Sequence, residues 1–245
     1  MKRSLIILAA AFLLIGISVQ ADAQGDIKWS QKPDWAEGYD ILSYDTKPLV
    51  ADDFECLDGK PVTDIHWWGS YTDDPGTDQS PSTAFQIKFW RDVPATTTTF
   101  SHPGQCLHTV DIDAFSGYKD DWQILAEHHG YRWDANITWS PFDQTQGTIY
   151  WISIAAQPDP ANPNDESYKT WGWKTSNDHW NDEAVVDKNG QGIWESLGEH
   201  KYNQGKKIDM AFELTTPEPV SSVLFLMGGV SLAYFGRKRR RSVRG

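Results

Sequence analysis

The chain has 245 residues, 34 acidic against 22 basic, for a formal net charge of −12. That balance argues against nucleic acid or anionic lipid as a partner, since both would be repelled. Its two cysteines form no C-x-x-C, which argues against a redox motif or a thiolate zinc site.

The chain opens with an export address. Lys2-Arg3 is a basic n-region, Leu5 to Val19 an apolar h-region, and Ala21-Asp22-Ala23 supplies small residues before a cut after Ala23. Residues 1–23 therefore read as a signal peptide. Residues 24–216 read as the exported body, and 217–245 as a separate tail. Setting aside Lys2, Arg3 and Asp22 at one end, and Glu218, Arg237, Lys238, Arg239, Arg240, Arg241 and Arg244 at the other, leaves 14 basic and 32 acidic residues in the body, a net of −18.

The body is patterned with period two. Leu49 to Cys56 and Pro61 to Tyr71 are candidate strands separated by an Asp58-Gly59 turn. Phe85, Ile87 and Phe89 alternate with Gln86 and Lys88. Gln105 to Asp111 is a shorter candidate. Asp121 to His129 is the one stretch that reads as helix. Trp133, Ala135, Ile137 and Trp139 alternate with polar residues and predict a half-buried strand. Thr148 to Ala156 is apolar on both faces and predicts a central strand. Ile208, Met210, Phe212 and Leu214 form a last alternating run. Asp73-Asp74-Pro75-Gly76, His102-Pro103-Gly104 and Asn189-Gly190 supply turn chemistry. Many strands with almost no helix predict an all-β fold, a jelly-roll-like antiparallel β-sandwich.

Several of these segments resemble a recurring exported β-domain. They are Val50-Ala51-Asp52-Asp53-Phe54, Val62 to Tyr71, Phe85 to Trp90, Ser101 to Gly104, Gly147 to Trp151 and Trp171 to Ser176. The family it resembles is found mainly in planctomycete-like bacteria, often with sorting tails, and is described as a domain of unknown function. The resemblance implies architecture and localisation and brings no catalytic residues.

The candidate chemistry starts with tryptophan, of which the chain has 13. Trp171 and Trp173 are two apart and would share a strand face. Trp180 follows, and Lys174, Thr175, Ser176 and Asn177 give the segment a polar flank. These features point to a partly exposed aromatic platform of Trp171, Trp173 and Trp180 for a sugar ring, with burial in the sandwich core the competing reading for Trp171 and Trp173. Trp133, Trp139 and Trp151 read as core. None of the seven histidines has the H-E-x-x-H spacing of a zinc site. Asp52 and Asp53 would point to opposite faces and so cannot act as one catalytic pair. No metal site is assigned and no cofactor is expected, Ca²⁺ being the one ion that the body's oxygen-rich loops could hold. The oxygen-rich loop of Asp159, Asn162, Asn164, Asp165 and Glu166, and Asp187-Lys188-Asn189-Gly190, fall short of a dedicated Ca²⁺ order. Cys56 and Cys106, both in the exported part, predict one disulfide.

The tail carries a second address. Pro217-Glu218-Pro219 precedes an uncharged apolar run, Val220 to Phe235, and then a basic cluster from Arg237 to Arg241. Sixteen helical residues span about 24 Å against a hydrocarbon core of about 30 Å, and the basic cluster would stay cytoplasmic. The ordered triple resembles the PEP-CTERM sorting signal of Gram-negative bacteria, which implies an exosortase-type membrane protease as partner. It also implies an inner-membrane precursor, anchored through a transmembrane helix at 220–235, with the body in the periplasm before release to the envelope or extracellular matrix.

The expectation is a non-enzymatic exported surface protein that contacts polysaccharide. A polysaccharide-acting hydrolase or lyase on a jelly-roll scaffold is the alternative from another class, and would need paired carboxylates in a concave cleft. A purely structural surface protein is expected if every tryptophan is buried.

Overall fold

The structure, a computed structural model, describes residues 26–45, 47–72, 77–125, 128–198 and 207–216. Ala21, Ala23, the turn at 73–76, and the tail with Pro217, Glu218, Pro219 and the apolar run lie outside the described residues. Among those described, no helix is long and apolar enough to cross a membrane.

Among the described residues the fold is all-β and antiparallel, with 13 strands and one short 3-10 helix, Ser167–Thr170. The strands are β1 Ile27–Gln31, β2 Asp40–Leu42, β3 Leu49–Glu55, β4 Asp64–Tyr71, β5 Gln79–Val93, β6 His102–Leu125 and β7 His128–Asn136, followed by β8 Ile149–Gln157, β9 Trp171–Ser176, β10 Val185–Asp187, β11 Glu195–Ser196, β12 Asp209–Met210 and β13 Phe212–Thr215. The main path runs β1-β13-β4-β7-β6-β5-β8-β3-β10-β11, and β9 pairs with β4, β2 and β12.

The period-two pattern explains the elements that place the core. In β5, Phe85, Ile87 and Phe89 are fully buried while Gln86 and Lys88 are half-buried. β8 is buried along almost its whole length, as a strand flanked by β3 and β5 should be.

Three departures have local causes. The described part of 121–129 is not helical: Asp121 to Leu125 finish β6, His128 opens β7, and the two strands pair antiparallel. Strand pairing overrides the helical pattern there. His102-Pro103-Gly104 is not a turn but the extended start of β6, with His102 opposite Val93 and Pro103 opposite Asp92. The strand predicted to reach Trp139 stops at Asn136, whose side-chain oxygen accepts from both Thr138 N–H and Thr138 Oγ1. This local turn releases the backbone from the ladder. Trp139, expected in the core, is therefore 67% exposed.

The sheet folds over on itself. β13 and β3 lie six strand spacings apart along the main path, about 29 Å if the sheet were flat at about 4.8 Å per strand. Yet the rings of Phe54 on β3 and Phe212 on β13 are 6.1 Å apart. Trp29 on β1 is 6.4 Å from the same Phe54, and Met210 N–H on β12 donates to Asp52 on β3 at 2.7 Å. A seam thus forms where the edge of β3 meets β1, β12 and β13, and it encloses one large apolar core.

The predicted Cys56–Cys106 disulfide is absent. Both thiols are free, Cys56 buried and Cys106 exposed. Cys56 follows β3. Cys106 lies on β6 opposite Trp90 of β5, which in turn is opposite Trp151 of β8, opposite Asp53 of β3. Three strand spacings, about 14 Å, separate the two levels, and a disulfide spans at most about 7 Å between Cα atoms.

Candidate functional site

The predicted platform is not on the surface. Trp171 and Trp173 are fully buried, because β9 is sandwiched: Trp173 lies opposite Gly69 of β4 and Ile41 of β2. The Trp171 ring packs edge-on to Phe85 at 5.0 Å and Trp133 at 5.9 Å. Trp173 donates its indole N–H to the Ala211 carbonyl at 2.8 Å. Gly172, between them, is covered by β2, since a Cβ there would meet the Asp40 Cβ at 2.8 Å. Lys174, Thr175 and Ser176 after it are buried as well, and only Asn177 of the polar run is exposed. Lys174 reaches the Gly38 carbonyl and Asp40, Thr175 Oγ1 accepts from Tyr39 N–H, and Ser176 donates to the Lys32 carbonyl. Those polar groups face the segment 32–40 rather than solvent.

Trp180 does reach the surface, with a different partner. It stands edge-to-face against Trp29 of β1, with centroids 4.8 Å apart at 77°, a favoured geometry for indoles. The two rings line a groove of about 360 Å³ with Ile27, Lys28, Gln31, Leu57, Asp178 and His179. Ile27 and Leu57 are more than half exposed, so the rim is apolar. Two polar atoms in the lining, Trp29 Nε1 and Gln31 Oε1, are buried without a hydrogen-bond partner. One is a donor and the other an acceptor. Lys28 is neutralised by an ion pair with Asp58.

Below the groove, in the seam, sit three buried carboxyls. Asp209 accepts from His179 Nδ1 at 2.9 Å, from Trp180 N–H at 2.7 Å and from Gln31 Nε2 at 3.1 Å. Asp52 accepts from Met210 N–H and from Asp53 N–H. Asp53 accepts from Asn181 Nδ2 at 2.8 Å through Oδ2, while its Oδ1 has no partner. As expected from strand alternation, Asp52 and Asp53 have different partners, one in the core and one under the 181–183 segment. Burial pushes all three up. Asp53 rises to about 8, the Asn181 hydrogen bond pulling against the shift. Asp209 rises to about 6, held down by His179 and the Trp180 amide. Asp52 lies well above the usual carboxylate range, through burial and then the charges of Asp209 and Asp53.

A second recess of about 370 Å³ lies on the other side of this segment, lined by Ser101, Asn181, Asp182, Glu183, Ser196 and Lys207 among others. Among the described residues no cluster of three His, Cys, Asp or Glu side chains is arranged to hold a metal. In the two oxygen-rich loops the carboxylates bind their own turns. Asp187 accepts from the amides of Asn189, Gln191 and Gly192, and Asp159 and Asp165 cap Ala161 and Ser167.

Of the histidines, His108 contacts the Ser140 carbonyl and packs beside Phe142. His66 lies between Asp64 and Asp134. Burial lowers its imidazole, but the two carboxylates outweigh burial and raise it to about 9. The sequence reading missed Trp29, Gln31 and Asp209 as site residues. The available signal was an acid inside an apolar run, Ile208-Asp209-Met210-Ala211-Phe212, and two acids inside Leu49–Phe54.

No curated protein and no solved structure matches the chain. A family model does match residues 27–215, which span every strand described above, and the chain belongs to that family, the Domain of unknown function (DUF7901).

Proposed function

We propose that this chain is an exported, non-enzymatic β-sandwich of jelly-roll type that contacts neutral polysaccharide through the Trp29–Trp180 groove. Its terminal segments act as signal peptide and PEP-CTERM sorting signal. The observation that carries the reading is the groove itself. It combines two indole rings held edge to face with an apolar rim. A sugar ring presents an apolar face for an indole, and the volume lies in the range of small-ligand sites. The same groove offers no unpaired cation to a sugar carboxylate or sulfate, since Lys28 is held by Asp58, and the body's excess of acidic residues disfavours anionic glycans. Binding is supported over hydrolysis because the carboxyls at and under the groove are engaged: Asp178 accepts from Lys32 N–H, Asp58 pairs with Lys28, and buried Asp209 is spent on His179, Trp180 and Gln31.

The test titrates intrinsic tryptophan fluorescence of the purified full chain with hydroxyethylcellulose, xyloglucan and alginate. Binding to a neutral polymer is expected with a Kd between roughly micromolar and millimolar. It should be lost in Trp180→Ala with little change in Tm, and alginate should not bind. Equal binding by wild type and Trp180→Ala sinks the groove reading. For the termini, intact mass of host-derived protein should show loss of residues 1–23 and of the tail beyond Pro217 to Pro219. Recovery of the Arg237 to Arg241 tail on released protein contradicts sorting.

A further inference from the structure

Three of the groove's lining residues share one anchor. Gln31 comes from β1, on one wall. His179 and Trp180 come from the segment that follows β9, on the other. All three donate to the two oxygens of Asp209, which is itself buried at 1% exposure. An ionised carboxylate can accept all three bonds. A protonated one puts a hydroxyl on one of its two oxygens, which weakens the bonds that oxygen accepts: His179 on Oδ1, or Gln31 and Trp180 on Oδ2. Among these bonds is the backbone bond that fixes Trp180.

The charge pattern around Asp209 makes this exchange accessible near neutral pH. Asp52 and Asp53 face it from β3, Glu183 and His179 from the segment after β9, and Lys207 lies beyond His179, with its Nζ 3.0 Å from Nε2. With Lys207 donating to Nε2, the neutral imidazole presents Nδ1–H to Asp209. Asp53 is pushed higher than Asp209, so Asp209 ionises before it.

We infer that Asp209 is the positioning residue of the groove, and that its protonation loosens Trp180, His179 and Gln31 and releases a neutral glycan on acidification. The release half of this inference rests on the glycan reading of the groove; the positioning half does not.

Two readouts on the full chain test it between pH 4.5 and 8. The first is the Trp180 backbone amide resonance in protein labelled with ¹⁵N at tryptophan alone, assigned by its absence from Trp180→Phe spectra. It should step with a midpoint near 6. The second is affinity for hydroxyethylcellulose, expected to fall about tenfold from pH 7.5 to pH 5. Asp209→Asn should bind weakly at every pH, with the step gone. His179→Gln, whose amide can still donate to Asp209, should keep the step. A wild-type Trp180 amide that is flat with pH overturns the inference, and so does loss of the step in His179→Gln, which would assign it to the imidazole. If Asp209→Asn fails to fold, the wild-type and His179→Gln titrations decide alone. If the Trp180 step is present but no neutral polymer binds at any pH, the glycan reading fails and the positioning role stands.

Discussion

Asp53 shows how strongly a buried group departs from what its neighbours in sequence suggest. Its carboxyl is raised from the ordinary value near 4 to about 8 by burial. Between those values the folded state holds a proton that the unfolded chain has released, so stability falls as pH rises through that window. Asp209, raised to about 6, acts in the same direction. So does His66, raised to about 9: its contribution is complete below about 6.5 and is lost as pH rises through 9. Melting curves should therefore show a higher Tm at pH 5 than at pH 8, and Asp53→Asn should raise Tm at pH 8 and flatten the slope. A Tm that climbs from pH 5 to pH 8 contradicts the assignment. The function proposed above opposes this trend, because ionised Asp209 builds the groove at a cost in stability, as functional sites often do. Trp173 supplies the contrasting case. It is fully buried with its N–H on the Ala211 carbonyl, so Trp173→Ala should cost about 3–5 kcal/mol by urea denaturation. A cost under about 1 kcal/mol would restore the exposed platform.

β9 is the element on which the sequence reading succeeded and failed at once. Its period-two spacing correctly puts Trp171 and Trp173 on one face. Which face is dry depends on β2 and the segment 32–40, whose three-residue strand carries too little pattern to be seen in advance. The long runs β5 and β8 were legible because a strand with one or two dry faces writes its burial into its own residues. β1, β2 and the division of 208–215 into β12 and β13 were not, since pairing partners distant in sequence decide them. The same holds for the site: Trp180 was legible as an aromatic near a polar turn, whereas Trp29 and Gln31 reach it only through the β1–β13 pairing. The β4–β9 contact carries its own test. A Cβ at Gly69 would meet the Gly172 carbonyl oxygen at 2.4 Å and the Trp171 indole nitrogen at 2.6 Å. Gly69→Ala must push β9 from β4 and should cost about 1–3 kcal/mol, read as a lower urea midpoint with unchanged m. An unchanged midpoint would mean that the strands are not in this register.

At the scale of the whole molecule, the folded-over sheet explains how an acidic body without a disulfide holds together. Its closure relies on side chains that cross the seam: Phe54 against Phe212 and Trp29, and Asp52 on the Met210 amide. The cysteines sit on the wrong strands to help. Cys56 is beside the seam, buried, with its sulfur accepting from Gly59 N–H, while Cys106 is exposed on β6, three strands away along the sheet. Closing that gap would require β8 and β5 to leave their places, breaking ladders that run the length of both strands. Oxidising surroundings therefore should not link the two thiols within one chain. Under native conditions iodoacetamide should label Cys106 and spare Cys56, and both should react once the chain is unfolded in urea without reductant. Peptide mapping under non-reducing conditions that recovers a Cys56–Cys106 peptide would show that β3 and β6 are neighbours. The strand order, and with it the seam that builds the groove, would then be wrong.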